Sequence, residues 1–236
     1  MNLKSLFKKN TLTYRLWFYL NRGKLDSTVR LPNKSDQYYF DGYPRSGNTF
    51  FGGMLGYAFQ DKKGTSHLHA VAGLKLAMNA GIKHLFIIYR HPLDAVVSLV
   101  FGKFSFLKMD MDDELLITNM MKSELEEWIS YYTYIHNHQK DIQLISFEEV
   151  SVDNELFLSK LEQVFAQKIN NKHELIQTYE ESMRALEKRK EVSFSALPNQ
   201  RRKDFKAKYS ELLKAMPNYP KAVELNDLLK KTSNNL

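Results

Sequence analysis

A short run of aromatic and strand-favouring residues, Gln37 to Phe40, leads into Gly42-Tyr-Pro-Arg-Ser-Gly-Asn-Thr49, and a helical pattern continues from Asn48 to Phe59. This is the G-x-x-x-x-G-x-T spacing of a phosphate-binding loop, set between a strand and a helix as that motif requires. Such a loop works because consecutive backbone N–H groups and the N-terminus of the following helix point at one anion, while a glycine, here Gly47, lets the backbone approach closely. A nucleotide triphosphatase carries Lys before the Thr. Asn48 stands there instead, so the cation that spans the β and γ phosphates is missing. Arg45, inside the loop, offers that charge in a different geometry. The plainer reading of the same residues is an ordinary strand-to-helix turn in which Gly and Pro serve backbone geometry alone.

Two further runs, His84 to Tyr89 and Ile142 to Phe147, read as strands from their β-branched and aromatic residues. After the second strand Pro92 opens a helix at a position where its missing N–H costs nothing. Strand followed directly by helix, twice, gives the fold class: α/β, with a parallel β-sheet flanked by helices. Helical patterns run from Glu114 to His138, Glu155 to Gln167, His173 to Lys190 and Phe205 to Ala215, with Pro217 and Pro220 punctuating the last. Ser193 to Lys203 mixes Ser, Pro, Asn and a basic triplet and reads as a mobile loop. A chain of 236 residues with 43% hydrophobic content buries a full core. We therefore expect a single domain over residues 31–236, with residues 1–30 a basic helical segment packed on it.

That first segment mixes Lys4, Lys8, Lys9, Arg15, Arg22 and Lys24 with Phe7, Leu12, Leu16, Trp17, Phe18 and Leu20. Its longest apolar run, Leu16 to Leu20, is far short of the ~20 residues of a membrane span and of the apolar core of a signal peptide, so neither is expected. A core-facing aromatic stripe and an interfacial membrane helix remain its two readings, and the expected location is cytoplasmic or membrane-peripheral. With 34 Lys plus Arg against 27 Asp plus Glu, the net charge of +7 favours anionic partners without choosing among nucleotides, nucleic acid and acidic glycans. The absence of cysteine excludes thiol chemistry, disulfides and thiolate metal sites.

A second chemistry-bearing segment is Tyr89-Arg90-His-Pro-Leu-Asp94-Ala-Val-Val-Ser98, directly after a hydrophobic strand. Arg90 stands at a strand's carboxyl end, where parallel α/β sheets place ligands, and Ser98 follows two helical turns on, in reach of the same anion. Alone, Arg90 is equally a surface or capping cation paired with Asp94.

Together the two segments resemble the sulfotransferase family. Tyr43-Pro-Arg-Ser-Gly-Asn-Thr-Phe50 is similar to the family's 5′-phosphosulfate loop, usually Tyr-Pro-Lys-Ser-Gly-Thr-Thr-Trp. Arg90 and Ser98 keep the family's eight-residue spacing for its 3′-phosphate site. The resemblance implies a P-loop NTPase-like sulfotransferase fold and a donor, 3′-phosphoadenosine 5′-phosphosulfate (PAPS), held by Arg45, Ser46, Gly47, Asn48, Thr49, Phe50, Arg90 and Ser98. Thr65-Ser-His67-Leu resembles the family's Lys-Thr-His-Leu segment, with Thr65 in place of Lys, which implies His67 as general base; a structural histidine is the alternative, and His69 is the nearest competitor. Ser146-Phe147-Glu148-Glu149 resembles Phe-Tyr-Glu-Asp, which puts Phe147 near the adenine or, on the plainer reading, in the core. Lys203-Asp-Phe-Lys-Ala-Lys-Tyr-Ser210 resembles Gly-Asp-Trp-Lys-Asn-His-Phe-Thr, and Arg201, Arg202 and Lys203 stand in for the family's Arg-Lys-Gly a few residues late; a solvated basic run is the alternative. The likeness spans about Tyr38 to Ser210.

The expected activity is transfer of a sulfuryl group from PAPS to an acceptor hydroxyl or amine, small molecule or glycan, through a loose in-line transition state that needs no metal. Arg45 is the expected catalytic cation, stabilising charge on the sulfuryl oxygens and leaving phosphate, with His67 taking the acceptor's proton. The competing readings are a P-loop small-molecule kinase, against which Asn48 argues, and a basic RNA-binding protein, which rests on charge alone. No nucleic-acid partner is expected, and Leu99 to Gln143, where such enzymes shape the acceptor pocket, does not identify the acceptor.

Overall fold

The computed structural model describes residues 8–21, 29–189 and 200–233, the side chains of 186–189 excepted. In chain order the elements are α1 (Thr11–Asn21), β1 (Tyr38–Gly42), α2 (Asn48–Ala58), β2 (Gly64–Ser66), α3 (Val71–Asn79), β3 (His84–Tyr89), α4 (Pro92–Leu107), α5 (Glu114–Asn137), β4 (Gln143–Ser146), α6 (Phe147–Val152), α7 (Asn154–Phe165), α8 (Lys172–Arg189), α9 (Gln200–Lys214) and α10 (Tyr219–Ser233). The fold is single-domain α/β, with four parallel strands in the order β2-β1-β3-β4.

Strand alternation distributes the core over both faces of the sheet. Tyr39, Leu85, Ile87, Tyr89 and Leu144 join one cluster with α3, α4, α5, α9 and α10, built around Trp128, Tyr132, Phe104 and Leu213. Tyr38, Phe40, Phe86, Ile88 and Ile145 face the other way, into Phe51, Met54, Leu55, Phe157 and Leu161 of α2 and α7 and Tyr179 of α8. α1 puts Tyr14 and Phe18 into the first cluster, where Tyr14 donates to the Leu68 carbonyl at 3.1 Å. Lys8 pairs with Glu127 of α5. Leu12, Leu16, Tyr19 and Leu20 of α1 remain exposed. Among the described residues no helix is long and apolar enough to cross a membrane.

One expectation needs correction. Residues 200–203, read as the end of a mobile loop, are the first turn of α9. Phe205, Tyr209 and Leu213 bury one i, i+4, i+8 stripe, and nothing in Gln-Arg-Arg-Lys-Asp opposes extending the helix N-terminally. Residues 193–199 of that stretch lie outside the described residues.

Candidate functional site

The strand order sets the site. The chain leaves β1 to one side for β2 and returns on the other for β3, so the loops after β1 and β3 emerge side by side at a topological switch point, where open parallel sheets bind ligands. Gly42, last residue of β1, pairs in register with Ile88, and a Cβ on it would lie 2.2 Å from the Ile88 carbonyl oxygen. Only glycine fits that approach.

The loop after β1 is folded by its own side chains. Ser46 N–H donates to the Tyr43 carbonyl at 3.1 Å, and Asn48 Nδ2 donates to the carbonyls of Tyr43 at 3.0 Å and Gly42 at 3.3 Å. Asn48 therefore clamps the loop from within, at the position where a triphosphatase extends its lysine outward. Ser46 is wholly buried, its Oγ 3.4 Å from the Tyr132 hydroxyl, which donates to the Ile88 carbonyl at 2.9 Å and accepts from Tyr43 N–H at 3.2 Å. Tyr43 in turn donates to the Glu124 carboxylate at 2.7 Å. Arg45 and Gly47 both sit in the left-handed region, at φ 70° and 89°. The first costs a non-glycine residue about 1–2 kcal/mol. Gly47 is required twice over, since a Cβ would also meet the Phe147 ring at 2.8 Å. The first bond of α2 is Phe51 N–H to the Gly47 carbonyl, so the amides of Asn48, Thr49 and Phe50 have no acceptor within the helix and form its anion-favouring end.

A cavity of about 630 Å³ opens in front of this loop, lined by Arg45, Gly47, Asn48, Thr49, Phe50, His69, Arg90, Phe147 and Arg202, and also by Asn154, Glu180 and Arg184. Arg45 donates from Nε to Ser98 Oγ at 3.2 Å, and Arg90 donates from Nη1 to the Arg45 carbonyl at 3.0 Å while its guanidinium stacks 4.3 Å over the Phe147 ring. His91 N–H donates to Glu148 at 2.8 Å, tying the end of β3 to α6. Burial, then the like charges of Arg202 and Arg90, pull Arg45 down to about 10. Burial also lowers Arg90, with Asp94 and Glu148 opposing. Cations that repel one another inside one cavity make a built receptor for a polyanion.

The expected site residues thus divide. Arg45, Gly47, Asn48, Thr49, Phe50, Arg90, Phe147 and Arg202 meet at one cavity. Ser98 is buried behind Arg45 and Ser46 beneath the loop, neither on the cavity wall. Arg201 reaches the Met111 sulfur at 4.0 Å and Lys203 is exposed; neither lines the cavity. Thr65 is buried, donating to Asp36 at 2.8 Å in a network with Arg30.

Both histidines of the turn after β2 have left-handed backbones, His67 at φ 65° and His69 at φ 48°, and their rings meet edge to face at 5.8 Å. His67 Nδ1 lies 2.6 Å from Ser66 Oγ, and His67 is not among the cavity-lining residues. His69 is. Its backbone N–H donates to Asp41 Oδ2 at 2.8 Å, and its Nδ1 lies 2.8 Å from the Gly42 carbonyl and 3.1 Å from Asp41 Oδ1. Burial disfavours the imidazolium, but Asp41 and the Gly42 carbonyl outweigh it and raise His69 above its ordinary value. Asp41 was missed from sequence; its one signal is an acid at the end of a strand otherwise filled by aromatics, Tyr38-Tyr-Phe.

Among the described residues no three His, Asp or Glu side chains cluster to hold a metal. No family model matches the sequence, and no curated protein does. A solved structure does share the fold: mouse sulfotransferase SULT7A1, complexed with PAP, superposes over 90% of this chain and 89% of its own with a TM-score of 0.53 at 15% identity. The chain is therefore built on a sulfotransferase-like fold.

Proposed function

We propose that the protein is a PAPS-dependent sulfotransferase, moving a sulfuryl group to an acceptor hydroxyl or amine. The observation that carries the reading is the convergence of Arg45, Arg90 and Arg202 on one cavity at the carboxyl ends of β1 and β3, beside a helix N-terminus. The likeness in fold to a sulfotransferase solved with PAP supports it.

In this reading the α2 amides and Thr49 hold the 5′-phosphosulfate, and Arg45 faces the sulfuryl oxygens and the leaving phosphate, where charge grows in the transition state. Arg90 and Arg202 take the 3′-phosphate, Ser98 fixing the Arg45 guanidinium through Nε. Phe147, already a platform for Arg90, and Phe50 offer aromatic surface to the adenine. A histidine of the turn after β2 takes the acceptor's proton; the sequence resemblance implies His67, and His69 is its competitor. The enzyme is read as cytoplasmic or membrane-peripheral, meeting its nucleotide donor from solution.

The test is ligand-dependent melting, followed by mass spectrometry of candidate acceptors incubated with PAPS. PAP at a hundredfold excess over its Kd should stabilise by about 2.7 kcal/mol. ADP and ATP should do less, and an acceptor should gain one sulfuryl group. Equal shifts with all three nucleotides would reject the reading.

A further inference from the structure

The geometry points to His69, oriented by Asp41, as the base that takes the acceptor's proton, an inference that rests on the sulfuryl-transfer reading above.

Asp41 is fully buried near the end of β1, and a carboxylate in that position requires donors. Oδ2 accepts from the Tyr39 hydroxyl at 2.6 Å and from His69 N–H at 2.8 Å. Oδ1 has no hydrogen-bond partner among the described residues and lies 3.1 Å from His69 Nδ1, an electrostatic contact. Nδ1 also lies 2.8 Å from the Gly42 carbonyl, which can only accept, so Nδ1 carries the proton. The tautomer is thereby fixed. In the neutral ring the lone pair is on Nε2, in a side chain that lines the cavity with Arg45, Thr49 and Arg90. His67 comes only two residues earlier, yet its ring lies toward Gly52 of α2, whose Cβ would be 3.7 Å from it, and it does not line the cavity. The Gly42 carbonyl fixes the tautomer, while Asp41 holds the His69 backbone N–H and sets a negative charge beside the ring, so the histidine is positioned for proton transfer.

An oxygen lone pair of the acceptor R–OH forms the new bond to sulfur as His69 Nε2 removes the hydroxyl proton. The bond from sulfur to the bridging phosphate oxygen breaks, and its electron pair leaves on the PAP phosphate beside Arg45. The products are the sulfate ester, PAP and an imidazolium held by Asp41, which returns its proton to solvent.

The groups facing His69 are Asp41 and the Gly42 carbonyl, which favour the imidazolium; Lys8, which opposes it; and the His67 ring. Tyr39, Tyr14 and Tyr131 surround Asp41, all raised chiefly by burial and so neutral in the working range.

The experiment is a 15N-histidine NMR titration of the full chain, alongside PAP binding and turnover of the variants. In the unaltered protein His69 should show the Nδ1–H tautomer and a midpoint above the ordinary imidazole value. An Nε2–H tautomer overturns the proposal, whatever the variants do. Asp41→Asn, if folded, should lower the His69 midpoint by about one pH unit or more, the scale of a neighbouring opposite charge. His69→Gln should cut kcat by about a hundredfold to ten-thousandfold with PAP affinity within about twofold, and His67→Gln should cost far less. The reverse order of the two variants rejects His69 but leaves sulfuryl transfer standing. Failure of the unaltered protein to bind PAP instead rejects the parent reading.

Discussion

Arg45 Nε donates to Ser98 Oγ at 3.2 Å, joining the loop after β1 to the second turn of α4. The two segments with the sharpest sequence motifs thus touch directly. Because Arg90 also donates to the Arg45 carbonyl at 3.0 Å, the loop is fastened to the end of β3 by side chain and by backbone.

Removal of Arg90 deletes both a loop contact and the proposed 3′-phosphate cation, and the loss of the cation should dominate. Arg90→Ala is expected to weaken PAP by about 1.5–3 kcal/mol, the range for hydrogen bonds to charged groups, and to affect adenosine 5′-phosphosulfate, which lacks the 3′-phosphate, much less. Ser98→Ala, which removes one hydrogen bond of the Arg45 guanidinium rather than deleting a cation, should cost about 1 kcal/mol with both ligands. Calorimetric titration checks both. Equal losses with the two nucleotides in Arg90→Ala would make that residue structural.

The crowding of Arg45 gives a pH dependence whose sign is fixed. Its guanidinium is lowered to about 10 by burial, Arg202 and Arg90, so it is fully charged at neutrality and loses its proton as pH rises through that value. PAP affinity should be insensitive to Arg45 titration near pH 7 and fall on approaching pH 10. Arg202→Gln removes one like charge and should move the fall upward, although its affinity at neutrality is lower. A fall at the same pH in both proteins would contradict the coupling.

Asn48 closes the loop against triphosphatase chemistry. Restoring a triphosphatase pattern with Asn48→Lys should not create ATP hydrolysis, because the side chain here closes the loop onto two carbonyls. Both Asn48→Lys and Asn48→Ala should destabilise the protein by about 1–3 kcal/mol, the cost of leaving buried groups unpaired. Urea unfolding and an ATPase assay measure the two halves. An active ATPase in Asn48→Lys would show that the loop tolerates the triphosphatase geometry.

The parts legible in the sequence were those with local causes. β1, β3 and β4 announce themselves by β-branched and aromatic runs, and the loop by its glycines. β2 does not: Gly64-Thr-Ser66 carries no apolar pattern and is a strand because β1 pairs with it. α3 is buried on most sides, so Val71 to Asn79 lacks the polar face that marks a helix. α10 was hidden by Pro220, which reads as punctuation but occupies the second position of the helix, where a missing N–H is harmless. At the site, the motif residues Arg45, Thr49 and Arg90 were readable, whereas Asp41 pairs with a residue 28 positions away and Tyr132 reaches the loop from 89 positions away. Neither association has a local signature. Which of Arg201, Arg202 and Lys203 lines the cavity was likewise decided by the phase of α9 rather than by charge.

In the proposed reaction, one backbone atom serves both halves of the chemistry. The Gly42 carbonyl oxygen accepts from Asn48 Nδ2, which shapes the donor loop, and from His69 Nδ1. A carbonyl has two lone pairs, and here each is assigned to one side of the reaction. The proposed donor cradle and proton acceptor would thereby be surveyed from a common benchmark, rather than from two scaffolds that drift independently. Since a misplacement of about 1 Å can cost roughly a hundredfold in rate, a shared anchor keeps small movements of the sheet from becoming errors of alignment.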